Sequence, residues 1–130
     1  MTNILAEIFE TNFTNYPAFF KKLAATSVAD SGLGSVKKYT KQQKLGEGIF
    51  GEVWKALNLE TNTKCAIKHL KNVNRDNIHK IITIREIQII KLLKHESIVE
   101  LQEICYTRND NENGYSLDFY LIFELCKCDL

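Results

Sequence analysis

The 130-residue chain has 17 basic and 16 acidic side chains, a formal net charge of +1, and is 45% hydrophobic and 25% charged. At ~100–200 residues per domain this is one domain or a piece of one, and its apolar content excludes wholesale disorder. The balanced charge excludes a dedicated nucleic-acid or anionic-membrane binder, and no apolar run approaches the ~20 residues that span a bilayer.

Residues 1–36 differ from the rest and are expected to be an N-terminal extension and linker. The opening residues have no basic region and meet Glu7 and Glu10, so no secretory leader is expected, and Thr2 stands where N-myristoylation needs glycine. Residues 4–9 and 18–23 are short mixed stretches, each suited to a helical turn or two, flanking the only proline, Pro17. Phe19-Phe20-Lys21-Lys22 offers a patch for docking on the domain or a partner; a loosely ordered extension is the simpler expectation. Residues 24–35 are small and polar enough to read as linker. Asn12-Phe13-Thr14 fits a glycosylation acceptor and, without a leader, reads as a chance match.

From Lys37 the pattern becomes regular. Strands are predicted over 39–46, 52–57, 64–70, 98–107 and 117–124, with a helix from a cap at Asp76 or Asn77 to about Lys94. Residues 58–63 supply a polar turn, and residues 108–114 a polar loop. Three strands, a helix and two strands make an α+β domain: a five-stranded, mostly antiparallel sheet packed on one main helix.

Cys65 and Cys105 lie in apolar runs and read as small buried hydrophobes. Cys126-Lys127-Cys128 has no neighbouring His, so no metal site is assigned, and all four thiols read as reduced, cytosolic or nuclear.

The first chemical motif is Gly46-Glu47-Gly48-Ile49-Phe50-Gly51-Glu52-Val53, a G-x-G-x-x-G-x-V. Dinucleotide-binding folds share the glycine spacing, but there a helix begins at the loop. Here the following segment, Glu52-Val53-Trp54-Lys55-Ala56-Leu57, is short, aromatic and β-compatible, which places the glycines at a hairpin tip where backbone amides fold over phosphates. No Gly-Lys-Ser/Thr follows, so a Walker loop is excluded. The second is Lys68 in Cys65-Ala66-Ile67-Lys68, on the next predicted strand, where a lysine beneath a glycine loop can reach the α- and β-phosphates of a nucleotide such as ATP. Elsewhere such a lysine would be a surface residue.

The third is Glu86, on the helix. At ~100° per residue, Ile78, Ile81, Ile82, Ile89, Leu92 and Leu93 form one broad stripe expected to face the sheet, with Glu86 at its edge and able to pair with Lys68. Ile84 and Ile87 then point away, among Lys80, Lys91 and Lys94, and a partner protein is expected to cover them, the alternative being the N-terminal extension folded back.

Together these elements resemble the N-terminal lobe of a eukaryotic protein kinase, over about residues 39–130. Ile84-Arg85-Glu86-Ile87 is similar to the end of the signature helix of the cyclin-dependent kinase family, and residues 92–99 resemble its L-x-H-x-N-I-V stretch with Ser97 for Asn. Residues 50–56, 92–105 and 120–126, ending in Asp129-Leu130, are similar to the family's transcriptional branch.

The resemblance implies a nuclear serine/threonine kinase that uses ATP and Mg²⁺, works with a cyclin and phosphorylates a protein substrate, the C-terminal domain of RNA polymerase II. It implies that Gly46 to Val53 cover the phosphates, that Leu45 and Val53 sandwich the adenine, and that Ala66 lies behind it. Phe123 would be the gatekeeper, the backbones of Glu124 and Cys126 would bond the adenine edge, and Asp129 would lie near the ribose. Lys68 would position phosphates, Glu86 would orient Lys68, and Ile84, Arg85 and Ile87 would lie at the cyclin interface. The sequence departs from the family at Lys80, where Pro is usual, at Ile49-Phe50, which removes two phosphorylatable positions, and over residues 75–80.

Phosphoryl transfer also needs an aspartate for the substrate hydroxyl and an Asn and an Asp for Mg²⁺. The chain has no His-Arg-Asp, Asp-Phe-Gly or Ala-Pro-Glu, and Asp118-Phe119-Tyr120 lies in a predicted strand before the hinge. The Mg²⁺ ligands are therefore expected outside these residues, and the chain alone is expected to be inactive. The alternative reading is a short non-catalytic module that occupies a cyclin.

Overall fold

The computed structural model describes residues 4–12, 14–27, 34–48, 51–92 and 100–124. Helices α1 (Ile4–Glu10) and α2 (Tyr16–Ala25) precede a 3-10 turn (Val36–Lys38). Strands β1 (Tyr39–Glu47), β2 (Gly51–Asn58) and β3 (Thr63–Leu70) lead to helix α3 (Asn77–Leu92), followed by β4 (Leu101–Asn111) and β5 (Gly114–Glu124). The sheet runs β1-β2-β3-β5-β4 with every neighbouring pair antiparallel. The α+β architecture is the expected one, and α3 is the helix that joins β3 to β4.

Local chemistry sets the element ends. Asn58 Oδ1 accepts the N–H groups of Glu60 and Thr61, and Asn62 takes φ 58°, which closes the β2–β3 turn. Asp76 caps α3 by accepting the His79 N–H at 2.7 Å. The expected loop over 108–114 is instead mostly strand: pairing continues to Asn111↔Gly114, leaving Glu112 and Asn113 as a two-residue turn. Asn111 Oδ1 accepts the Asn113 N–H, and Gly114 takes φ +129°, a conformation open to glycine. Residues 109–115 are exposed, so their polarity marks a solvated hairpin rather than a break in pairing. The strand expected from residue 98 begins at Leu101; residues 98 and 99, and the last turn of the expected helix, lie outside the described residues.

Cross-strand partners share a face, so register separates two apolar layers. On one face Leu70, Ile104, Tyr106, Leu117, Phe119 and Leu121 join Ile84 and Ile87 of α3 in the main core. Phe119 and Tyr106 meet edge to face at 6.2 Å, and burying each side chain stabilises the fold by roughly 1.5–3 kcal/mol. On the other face Ala56, Cys65, Ile67, Cys105 and Ile122 pack beneath Val36 and Tyr39. Gly34 lies against the β4 edge, its N–H donating to the Ile104 carbonyl at 3.1 Å. Along β1 the register with β2 shifts twice, between Lys41 and Gln43 and between Lys44 and Gly46.

The extension is packed rather than loosely ordered. Ile8, Phe19, Phe20 and Leu23 are buried in the main core, and Lys22 pairs with Glu7 at 2.7 Å to join α1 to α2. Asn12 Oδ1 accepts the N–H groups of Thr14 and Asn15, folding the turn between the helices. Pro17 sits in the first turn of α2, not between the helices, because a missing N–H costs nothing there. The Tyr106 hydroxyl donates to the Thr26 carbonyl at 2.9 Å and Arg108 donates to the Ala24 carbonyl, fixing the end of α2 on β4. Ala24 and Ala25 belong to α2 rather than to a linker, and residues 28–33 lie outside the described residues.

The orientation of α3 also differs from expectation. Ile78 and Ile89, assigned to the inward stripe, are 67% and 55% exposed, whereas Thr83, Ile84 and Ile87 are buried. Isoleucines surround this helix, and its packing against the sheet and against α1 and α2 together decides which ones are covered.

Candidate functional site

The glycine turn links β1 to β2, which pair up to Glu47↔Glu52, and the Gly48 N–H donates to the Gly51 carbonyl at 2.8 Å across its base. A strand, not a helix, follows Gly51, which removes the dinucleotide-binding reading. A Cβ on Gly51 would stand 2.1 Å from the His69 carbonyl oxygen, so glycine is required for β2 to meet the end of β3. A Cβ on Gly46 or Gly48 meets nothing within 4 Å. Their small size therefore serves no packing among the described residues, and it leaves the turn's backbone open to close approach by a phosphate. Ile49 and Phe50, at the tip, lie outside the described residues.

Register assembles the rest. Val53 pairs with Lys68 and Lys68 with Leu121, while Ala66 pairs with Phe123, so Val53, Ala66, Lys68 and Phe123 share one face. Lys68 reaches from β3 to the Glu86 carboxylate on α3 in a salt bridge, with side chains 35% and 20% exposed. The pair is thus open enough to meet a ligand while the carboxylate fixes where the ammonium points. Leu45 is exposed on β1, and Glu124 is exposed at the end of β5. Cys126 and Asp129 lie outside the described residues.

The turn's acids have partners of their own. Glu52 accepts from Lys44 and Lys71, each at 2.8 Å, and these hydrogen bonds hold its carboxyl down at about 2. Glu47 pairs with Lys44 at 2.7 Å and stays exposed. Ile84 and Ile87, expected to need a cover, share one apolar cluster with Ile8, Phe19, Phe20 and Leu23, while Arg85 stays exposed. The expected partner protein is thus not what covers them here: the sheet and the chain's own extension together build the cluster that receives them.

A second polar cluster escaped the sequence reading. On the sheet's other face His69 lies 2.7 Å from Asp118 and 2.8 Å from Lys41, and its ring stacks on Tyr120 at 4.2 Å. An ammonium only donates and a carboxylate only accepts, so Nδ1 takes the Lys41 hydrogen bond and Nε2–H donates to Asp118. The cluster fastens β1 to β3 and β5. The only signal in sequence was a histidine and an aspartate inside predicted strands, and their meeting depends on non-local register.

Among the described residues, no group of His, Cys, Asp and Glu could hold a metal ion, and no helix is long and apolar enough to cross a membrane.

Residues 39–130 match the protein kinase domain family. The chain is 43% identical to human cyclin-dependent kinase 9 over 95 residues, which cover 73% of this chain and 26% of that protein. Identity to cyclin-dependent kinase 9 of Danio rerio is 43% over 95 residues (72% and 25%), and to cyclin-dependent kinase 9-A of Xenopus laevis 40% over 99 residues (73% and 26%). The chain spans about a quarter of the length of these curated relatives.

Proposed function

The chain belongs to the protein kinase domain family, and on that premise we propose that it is the ATP-positioning lobe of a cyclin-dependent serine/threonine kinase. The observation that carries this reading is the Lys68–Glu86 pair beside a glycine turn whose first two glycines have free space at Cβ. An ammonium held by a carboxylate is fixed in direction, so Lys68 orients the α- and β-phosphates. Backbone N–H groups of residues 46–51 cover the phosphates, Leu45 and Val53 enclose the adenine, and Ala66 and Phe123 form its back wall. The backbones of Glu124 and Cys126 hold the adenine edge, and Asp129 the ribose. ATP would supply the γ-phosphoryl group, and Mg²⁺ would neutralise its charge, with none of the residues named here assigned as a metal ligand.

Similarity to cyclin-dependent kinase 9 supports the finer reading: a nuclear kinase of the transcription-elongation branch that acts on the C-terminal domain of RNA polymerase II. A cyclin would contact Ile84, Arg85 and Ile87 only with the N-terminal helices displaced, since Ile84 and Ile87 are buried beneath them. By itself the 130-residue chain transfers no phosphate, and measurable transfer from labelled ATP by the purified protein would refute that.

An ATP acyl phosphate, which acylates a lysine amine near the bound phosphates, tests the site. Lys68 is expected to take the label ahead of the other lysines, and excess ATP to suppress it. Label spread over exposed lysines and indifferent to ATP would sink the reading.

A further inference from the structure

Glu86 is flanked on α3 by the residues that receive the N-terminal helices. Ile84 and Ile87 are 3% and 0% exposed, in one cluster with Ile8, Phe19, Phe20 and Leu23. The Gln88 side-chain amide donates to the carbonyls of Ile8 at 3.0 Å and Thr11 at 2.6 Å, so α3 caps the C-terminal end of α1. About two turns earlier the Lys80 ammonium lies 5.7 Å from the centre of the Phe20 ring.

A helix turns as one body, because its hydrogen-bond ladder couples each residue to the next turn. Anchoring residues 84, 87 and 88 therefore fixes the direction of Glu86, and swinging Glu86 off Lys68 would tear both Gln88 hydrogen bonds. In return, α1 and α2 have seven and ten residues, below the ~12–15 that sustain an isolated helix. Their formation and their docking on α3 are one event.

We propose that residues 4–27 are a built-in brace for α3. Docked, the brace holds Glu86 against Lys68, and it occupies the face a cyclin would contact, so brace and cyclin exclude each other. Ile8 and Gln88 are positioning residues: they touch neither phosphate nor Lys68 and act through the angle of α3. The kinase reading above explains why the Lys68–Glu86 pair matters, and labelling of Lys68 tests that reading; the test below reads the brace alone.

Carbodiimide joins a lysine amine to a carboxylate only when the two are in contact, and mass spectrometry counts the Lys68–Glu86 link. The full 130-residue chain is compared with Ile8→Asp and Gln88→Ala, with hydrogen exchange over residues 4–25 reporting release and the Lys38–Glu103 link, 2.9 Å apart on the other face, as control. Ile8→Asp is expected to release α1 and α2 and lower the Lys68–Glu86 yield at least threefold, and Gln88→Ala to lower it about twofold, with the control unchanged. Released helices with an undiminished link would overturn the brace, as would amides of residues 4–25 that exchange freely in the unaltered chain. If Ile8→Asp loses both links it has unfolded, and Gln88→Ala decides: a yield equal to that of the unaltered chain rejects the proposal.

Discussion

His69 on β3 and Asp118 on β5 are joined by a 2.7 Å hydrogen bond on the sheet face opposite α3, and the Asn72 N–H reaches the other Asp118 oxygen at 2.9 Å. Burial raises the Asp118 pKa, but the His69 and Asn72 hydrogen bonds and the Lys71 charge outweigh it, leaving the carboxyl below its ordinary value. A depressed folded-state pKa means stability that is fully present above the unfolded value of ~3.9 and lost as pH falls through the folded one. Asp118→Asn should therefore cost about 1–3 kcal/mol at pH 7, with the gap closing toward pH 3. Urea unfolding across that range checks this, and a pH-independent gap would contradict it.

The glycines of the turn should separate by role. Gly51→Ala drives a Cβ to 2.1 Å from a backbone oxygen and should destabilise the fold by roughly 1–3 kcal/mol. Gly46→Ala and Gly48→Ala meet open space and should shift stability by less than about 1 kcal/mol, while lowering ATP-competed labelling of Lys68. Denaturant melts beside the labelling assay distinguish the two classes, and equal destabilisation at all three positions would be the contrary result.

Glu86→Gln should affect the site more than the fold. Solvent screens the half-open Lys68, so losing the pair should cost no more than ~1 kcal/mol of stability. The ammonium then loses its fixed direction, and the preference of the ATP probe for Lys68 over other lysines should fall several-fold. A large drop in thermal midpoint with labelling preserved would make the pair structural.

Cys105 should be silent to alkylation. Burial, with help from the Glu103 carboxylate, pushes its thiol up to about 12, and burial also raises Cys65. A thiolate is the reacting species, so both should resist iodoacetamide at pH 8 and react together on unfolding. Mass spectrometry of the alkylated native chain decides the matter, and rapid labelling of Cys105 would show that β4 opens.

Where sequence succeeded, the information was local. The glycine spacing, Lys68 and Glu86 each sit in a short stretch, and the expected Lys68–Glu86 pair forms, whereas setting Val53 beside Lys68 took strand register. Sequence failed where the answer depends on docking. Isoleucine at 78, 81, 82, 84, 87, 89 and 90 surrounds α3, so a 3.6-residue period has no single face to select. The packing of α1 and α2 was illegible for the same reason: their order comes from contacts with α3 and β4, not from their own propensity. The His69 cluster unites residues 41, 69 and 118, whose meeting depends on strand register.

The two outer strands of the sheet are closed in different ways. β4 is met by Gly34, while β1 presents exposed Lys41 and Lys44 along an edge whose register shifts twice. A regular, uncharged edge would template pairing with another molecule; a charged, irregular one does not, and a covered one has fewer groups to offer. Among the described residues, both outer strands thus offer a poor template for pairing with another molecule.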